Sequence, residues 1–300
     1  MNDLELYRSM YRIRRFEETV LEEFSRGVFA GTTHTSLGQE ANAVGVISSL
    51  NSDDLIVTNH RCHGHFLAYG GDMHALFAEM MGRSSGICGG RGGSQHIHWR
   101  NLYSNGVQGG IVPIAAGMAL AEKLKKSGVI TVVFIGDGTF GEGVIYEAFN
   151  MAQLWAVPLL IVVENNHIAQ TTPTSLVQVG SLPERIRGFS IPVMELDTSD
   201  VRVIRREASQ QISQVRGKQT PAALVLNTVR FGPHSKGDDT RDSVGLDHLK
   251  ATRDPLKIFA TCLDQQALDG VHAEVNQEVR LAFERALDDP EAEVEGDLDE

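Results

Sequence analysis

Two short segments carry the residue types for metal-assisted phosphate chemistry. Gly136-Asp137-Gly138-Thr139-Phe140-Gly141 has the G-x-G-x-x-G spacing of a dinucleotide fingerprint, between an apolar run and a helical pattern. In a dinucleotide site the amides at the helix start cradle a pyrophosphate, and a carboxylate wedged between the first two glycines would repel it. Asp137 makes sense with a cation between it and the phosphates. Magnesium is usually held that way, by one or two protein oxygens with phosphate and water supplying the rest. Asn165-Asn166 follows Gly138 after 26 intervening residues. Its neutral amide oxygens, with a backbone carbonyl, would complete an oxygen shell without excess charge. Asn-Asn alone is a turn signal; its pairing with Gly-Asp-Gly favours a ligand role. A nicotinamide dinucleotide reading remains open, with Glu164 as the ribose-binding acid, but Asp137 is wrongly placed for a metal-free pyrophosphate.

Histidines are the next candidates, because imidazole titrates near neutral pH and serves as proton donor or charge stabiliser. His63, His65, His96 and His98 form two His-x-His pairs whose spacing suits a strand. They lack a Cys-x-x-Cys or His-x-x-x-His companion, so a zinc site is disfavoured.

The elements that position these groups read as alternating. Leu6, Met10, Ile13, Phe16, Val20 and Phe24 recur at helical spacing over residues 3–26, with Gly27 placed for a left-handed cap. A helix is predicted from about Gln39 to Leu50. A stretch dense in Gly and His then runs to Gly110 and reads as loops that bend around something. After Pro113 come an alanine-rich helix to Lys126, a strand at 129–135, a helix at 142–155 and a strand at 159–164. A helix at 182–187, a strand at 193–196, a helix at 201–215 and a strand at 222–229 follow. A polar loop spans 230–247, and two helices close the chain. Both central strands are continuous apolar runs, as buried parallel strands are. The fold class is therefore α/β, a parallel sheet with helices on both faces and helical ends. Ligands in such a sheet sit beyond the carboxyl ends of the strands, where both motifs fall. Residues 1–287 read as one domain and 288–300 as an acidic tail.

Composition narrows the function classes. Of 300 residues 42% are hydrophobic and 22% charged, which fits a soluble globular protein. No apolar run approaches the roughly 18–20 residues of a membrane span. Net charge is −12, of which the tail Asp288–Glu300 supplies eight acidic residues and no basic one. An anionic body is a poor nucleic-acid binder, and the tail reads as a solvated, frayed end. Three widely spaced cysteines and a start without a secretory pattern fit a reducing cytoplasm.

Taken together, Gly136-Asp137-Gly138 and Asn165-Asn166 look like the thiamine diphosphate motif. From about Leu6 to Phe259 the chain resembles the alpha subunit of the first component of 2-oxo acid dehydrogenase complexes, of the pyruvate and acetoin type. The marks are His34-Thr-Ser-Leu-Gly-Gln-Glu-Ala41, His60-Arg-Cys-His-Gly-His65, Gly90-Arg-Gly-Gly-Ser94, Asn105-Gly106, the diphosphate motif, and Arg230 to Ser235. The resemblance implies thiamine diphosphate and magnesium as cofactors, with Asp137, the Asn166 side chain and the Ile168 carbonyl on the metal. It places His60 and Arg61 on the diphosphate, with the amides of Gly138 and Thr139, and puts Gly106 and Gln108 at the aminopyrimidine edge. His234 would stand over the cofactor and His34 would greet the substrate; both are the implied catalytic residues.

The same resemblance implies a beta subunit that supplies the activating glutamate, assembly as two alpha and two beta chains, and transfer of an acyl or two-carbon unit to a lipoyl carrier. The substrate would be a ketone or 2-oxo acid. Several positions depart from the usual pattern: His60 stands where tyrosine is common and Gln95 where methionine is usual. Phe140 replaces a smaller or polar residue, and Gly232-Pro233 precedes His234 in place of His-Gly. His60 leans towards the acetoin type, and together the departures leave open a ketose donor cleaved in transketolase fashion. A non-catalytic scaffold subunit is the remaining alternative; retention of Asp137, Asn166, Arg61 and both loop histidines speaks against it.

Overall fold

A computed structural model describes residues 1–235, 237 and 239–293. Helix α1 (Asp3–Glu23) starts where the Asn2 side chain accepts from Glu5 N and Glu5 answers to Asn2 N, a reciprocal cap. Its apolar stripe, Leu6 through Val20, is buried, and a 3-10 turn ends at Gly27, with φ of 70°. Next come α2 (Glu40–Ile47), β1 (Leu55–Thr58), α3 (Cys62–Ala68), α4 (Met73–Met80), β2 (His98–Trp99), β3 (Leu102–Ser104) and α5 (Ile111–Lys125). Pro113 sits in the first turn of α5, where its missing N–H costs nothing. The central region holds β4 (Thr131–Gly136), α6 (Gly143–Leu154), β5 (Leu159–Asn165), a hairpin of β6 (Ile168–Ala169) and β7 (Thr172–Pro173), and α7 (Leu182–Arg187). The chain continues with β8 (Val193–Asp197), α8 (Val201–Lys218), β9 (Ala222–Asn227), α9 (Ser243–Thr252), α10 (Pro255–Ala260) and α11 (Gln265–Asp288).

Seven strands form one sheet in the order β2-β3-β1-β4-β5-β9-β8, parallel except for the β2–β3 pair. Strand side chains alternate between two apolar layers. Val132, Phe134, Leu160, Val162 and Leu224 face α1–α4, α8, α10 and α11, whereas Val133, Ile135, Ile161, Val163 and Val225 face α5–α7. The expected parallel sheet with helices on both faces is thus the observed one. Strand order reverses between β1 and β4, so a crevice opens at their carboxyl ends.

Four expectations are corrected. The glycine- and histidine-rich stretch before residue 110 holds β1, α3, α4, β2 and β3, and what its loop bends around is the Glu79 carboxylate. Glu79 accepts from the backbone N–H groups of Cys88, Gly90, Gly92 and Gly93, at 2.6, 2.9, 2.6 and 3.2 Å. His63 and His65 lie on a helix, not a strand. Three helices close the chain, the first beginning at Ser243 inside the expected loop. The acidic tail does not fray at once. Ser84 N donates to Pro290 O at 2.9 Å, Ala292 N to Gly82 O at 2.9 Å, and Asp289 pairs with His74 at 2.5 Å. Residues 294–300 of that tail, and Lys236 and Asp238 of the polar loop, lie outside the described residues. Among the described residues no helix is long and apolar enough to cross a membrane.

Candidate active site

The ends of β1, β4 and β5 and the segment after β9 surround a cavity of about 260 Å³. From the sequence-predicted set, His60, Arg61, Gln108, Asp137, Gly138, Thr139, Asn166, Ile168 and His234 line it together. His34 and Gly106 stand just outside its wall. The His34 ring lies edge-on to His60 and His234, with centroids 4.4 and 4.7 Å away, and the Gly106 carbonyl accepts from Gln108 Nε2 at 3.4 Å.

Two close approaches bring these segments together. A Cβ on Gly138 would lie 2.9 Å from that of Ala169, so only glycine lets the turn after β4 meet the β6–β7 hairpin. Gly38, at φ of +89°, leaves room for the Val229 carbonyl, which a Cβ would meet at 2.3 Å. Phe231 N bonds Leu37 O at 2.9 Å beside it, which seats Arg230 and His234 against the His34–Ser36 segment. Arg241 laces the loop from its far side, donating to the Arg230 and Gly232 carbonyls and pairing with Asp239.

Charges in the cavity divide into two groups. Asp137 is 1% exposed, and its Oδ2 has no hydrogen-bond partner among the described residues. Burial pushes its carboxyl above the usual range, partly offset by its own backbone N–H, the charge of His167 and the amides of Asn166 and Gly138. Asn166 Oδ1 sits near the Ile168 amide, at 3.3 Å, and Gln178 Nε2 bonds the Asp137 carbonyl at 2.8 Å. Glu164 is buried at the same floor, accepting from Asn42 at 3.1 Å, and burial lifts it to about 7.

The second group is cationic. Arg61 bonds the Thr35 carbonyl at 2.5 Å and reaches His234 Nδ1 at 3.2 Å; Arg230, 1% exposed, approaches the same Nδ1 at 3.3 Å. Burial first, and then the Arg230 charge, lowers Arg61 to about 9. Thr139 Oγ1 and His60 Nε2 are further buried polar atoms without partners among the described residues. Orphaned groups of this kind need an explanation. A cation beside Asp137 and an oxyanion against Thr139, His60 and the arginines would satisfy all three, so the donor set fits a magnesium diphosphate.

Sequence reasoning gave no role to Gln39, Asn59, Glu142 or Gln170 on this wall. Arg230 was visible only as part of the family run, and Glu164 only as a ribose-binding acid; neither the aspartate nor the asparagine motif implies them. His63 serves elsewhere: it joins Glu17 Oε2 at 3.1 Å to Ser94 Oγ at 2.9 Å, while Glu17 accepts from Ser36 N at 2.7 Å. This buried chain ties α1 and α3 to the segments bearing His34 and Gln95. His96 and His98 are exposed, and His98 stacks on Tyr103, so neither joins a metal cluster.

Comparison with known proteins identifies the family. The family model for the dehydrogenase E1 component matches residues 8–295. The pyruvate dehydrogenase E1 component subunit alpha of Zymomonas mobilis is 37% identical, over 94% of this chain and 83% of its own length. The alpha subunits of acetoin:2,6-dichlorophenolindophenol oxidoreductase from Cupriavidus necator and Bacillus subtilis are 35% and 33% identical, over 96% and 94% of this chain and 90% and 86% of theirs. With likeness of that extent, the chain belongs to the dehydrogenase E1 component family, as an oxidoreductase alpha subunit of the pyruvate and acetoin type.

Proposed function

We propose that this chain binds thiamine diphosphate and magnesium and, with a beta subunit, cleaves the bond next to the carbonyl of a 2-oxo acid or acetoin, passing the acyl or two-carbon unit to a lipoyl carrier. The observation that carries the reading is the buried Asp137 Oδ2, without a partner among the described residues, in a cavity whose wall also holds Asn166 and two arginines. Asp137, the Asn166 side chain and the Ile168 carbonyl would hold the metal. Arg61, Arg230, His60 and the Gly138 and Thr139 amides would hold the diphosphate. A buried diphosphate of roughly −3 needs comparable positive charge, which magnesium and one arginine supply. Thiamine diphosphate supplies an electrophilic ring that takes up the electron pair left when the donor bond breaks. This chain's part is to orient it, exclude water and supply protons: His234 at the cavity wall and His34 beside it are the groups placed to hold or give a proton.

The beta partner finds support in α5. Ile114, Gly117 and Leu124 are all on its exposed side, and Val107 before it is 63% exposed. From Ile111 to Ala121 the helix has no charged residue on any side, and an apolar face left exposed in this way suits an interface. A ketose phosphate donor is the second reading, favoured by the polar Gln95, whose Nε2 lies 3.4 Å from His34 Nδ1 where methionine is usual. A cytoplasmic setting is proposed as well, a reading supported by three cysteines that are all unpaired.

The test is calorimetric titration of thiamine diphosphate into the chain co-purified with its beta partner, with magnesium and then with a chelator. Micromolar, magnesium-dependent binding is expected, followed by turnover in a donor screen of pyruvate, acetoin and ketose phosphates. Absence of binding in both conditions would leave only a scaffold.

A further inference from the structure

Two turns face the cavity, one after β4 with Asp137 and one after β5 with Asn166, and a single side chain ties them together. Gln178 Nε2 donates to the Asp137 carbonyl at 2.8 Å. The backbone N–H of Gln178 bonds the Thr174 carbonyl at 2.9 Å, and Thr174 N bonds the carbonyl of His167, the residue after Asn166, at 3.1 Å. A second strut holds the far end of the first turn. The Tyr146 hydroxyl donates to the Phe140 carbonyl at 2.7 Å and accepts from Arg185 Nη1, while Arg185 Nε donates to the Val179 carbonyl at 2.9 Å. Packing within this chain adds little to that hold, because Leu176, Val177 and Val179 are all exposed. The grip of segment 174–179 on the turn is polar.

The bond to Asp137 decides where the next amide points. In a planar trans peptide the C=O and N–H lie on opposite sides. Gln178 stands off the cavity wall, so the carbonyl that it holds faces away and the Gly138 N–H faces the Asp137 carboxylate and the cavity. Burial pushes that carboxyl up, and the Gly138 amide is among the groups that offset it. This peptide is also one that could turn over. Gly138 has no Cβ to resist rotation, and the turn Asp137–Gly141 is a 3-10 helix, whose hydrogen bonds are poorer than those of an α-helix. A flipped peptide would put a carbonyl where an oxyanion needs a donor.

We propose that Gln178 is a positioning residue: it locks the 137–138 peptide with its N–H inward and ties the Asp137 and Asn166 turns together, so that both are shaped for a metal-bound oxyanion before one arrives. That this ligand is magnesium thiamine diphosphate rests on the function proposed above; the lock itself does not.

The experiment uses the chain co-purified with its beta partner. It compares the parent with Gln178→Met, which keeps the length of the side chain and loses the donor, and with Gln178→Lys, which keeps a donor. Hydrogen exchange of residues 136–142 is followed by mass spectrometry without ligand, and thiamine diphosphate is then titrated calorimetrically in the presence of magnesium. Gln178→Met should exchange about fivefold faster over this segment and bind the cofactor about fivefold more weakly, the worth of one neutral hydrogen bond. Turnover at saturating cofactor should stay within about twofold of the parent, because the lock serves binding and not the chemical step. The thermal midpoint should match the parent's. Gln178→Lys should bring the exchange rate back towards the parent's, and Tyr146→Phe, which cuts the second strut, should speed exchange of the same segment. In a parent that binds the cofactor, faster exchange and weaker binding must appear together in Gln178→Met. Either alone, or neither, overturns the proposal and leaves the functional reading intact. A midpoint that falls along with the affinity would make Gln178 a structural residue only and would overturn it too. A parent complex that refuses thiamine diphosphate removes the functional reading, and the exchange comparison still decides the lock.

Discussion

Replacing Asp137 by asparagine keeps the size and shape of the side chain and removes only its charge. In the free chain that charge is a liability: the carboxylate is 1% exposed, and burial already pushes its pKa upward. Asp137→Asn should therefore raise the thermal midpoint of the chain measured without magnesium or cofactor. With both present the sign should reverse, because the carboxylate now faces a divalent cation. Removing one partner of a buried charge pair costs about 3–5 kcal/mol, and each 1.36 kcal/mol is a factor of ten. The loss in magnesium-dependent affinity for thiamine diphosphate should therefore be at least about 100-fold. Thermal unfolding with and without ligands gives the two signs, and calorimetric titration gives the factor. A variant that is less stable without ligands, or whose affinity stays within threefold of the parent, would refute the assignment of Asp137 as a metal ligand.

His65, buried between Thr58 and Phe134, is lowered by burial to about 3. The unfolded chain takes up its proton near pH 6.5 while the folded one refuses it, so this stabilisation is complete above 6.5 and is lost as pH falls towards 3. Relative to the parent, His65→Gln should regain about 3 kcal/mol between pH 7.5 and 4.5 in urea unfolding; a pH-independent difference would contradict the neutral ring. Gly38→Ala meets both a positive φ and the Val229 carbonyl. It should cost about 3 kcal/mol and expose the 229–235 segment to protease; a denaturation midpoint unchanged from the parent counts against the close approach. Glu79→Gln weakens four charge-assisted bonds in the 88–93 loop and should destabilise by about 2 kcal/mol, read from the same unfolding curves. Ile114→Glu, on the exposed side of α5, should leave the chain's own midpoint unchanged but reduce co-purification with the beta subunit at least about tenfold. Undiminished recovery would move the interface elsewhere.

How much of this was legible depended on the range of the forces involved. Val132–Ile135 and Leu159–Val163 are uninterrupted apolar runs, so their burial on both faces could be read from the chain alone. Helix α7 was placed to the residue because Ser181 and Glu184 form a local cap. The stretch before residue 110 resisted reading because its order is imposed from a distance. Its glycines gain a fold from the Glu79 carboxylate, and the four-residue β1 is recognisable as a strand only through its ladders to β3 and β4. The tail misled for the same reason: acidic composition predicts solvation, yet Asp289 finds His74, a residue 215 positions earlier. At the cavity, Asp137 and Asn166 announced themselves by type and spacing, whereas Arg61 came only with the family resemblance. Arg230 had only the family run to mark it, since a lone arginine after a strand has no pattern of its own.

The cavity's charge pattern also says what shape of ligand suits it. Two guanidiniums press on one imidazole at 3.2 and 3.3 Å, and Arg61 is lowered to about 9 by burial and its twin. Asp137 and Glu164 are meanwhile pushed the opposite way by the same dry surroundings. If these groups neutralised one another directly, their shifts would favour the charged forms; instead desolvation dominates on both sides. A simple anion would relieve Arg61 and worsen Asp137, and a simple cation would do the reverse. A ligand carrying both signs, cation towards Asp137 and oxyanion towards Arg61, lowers the energy of both groups at once. A metal bound to a diphosphate has that distribution, so metal and phosphate should bind with positive coupling, each tightening the other.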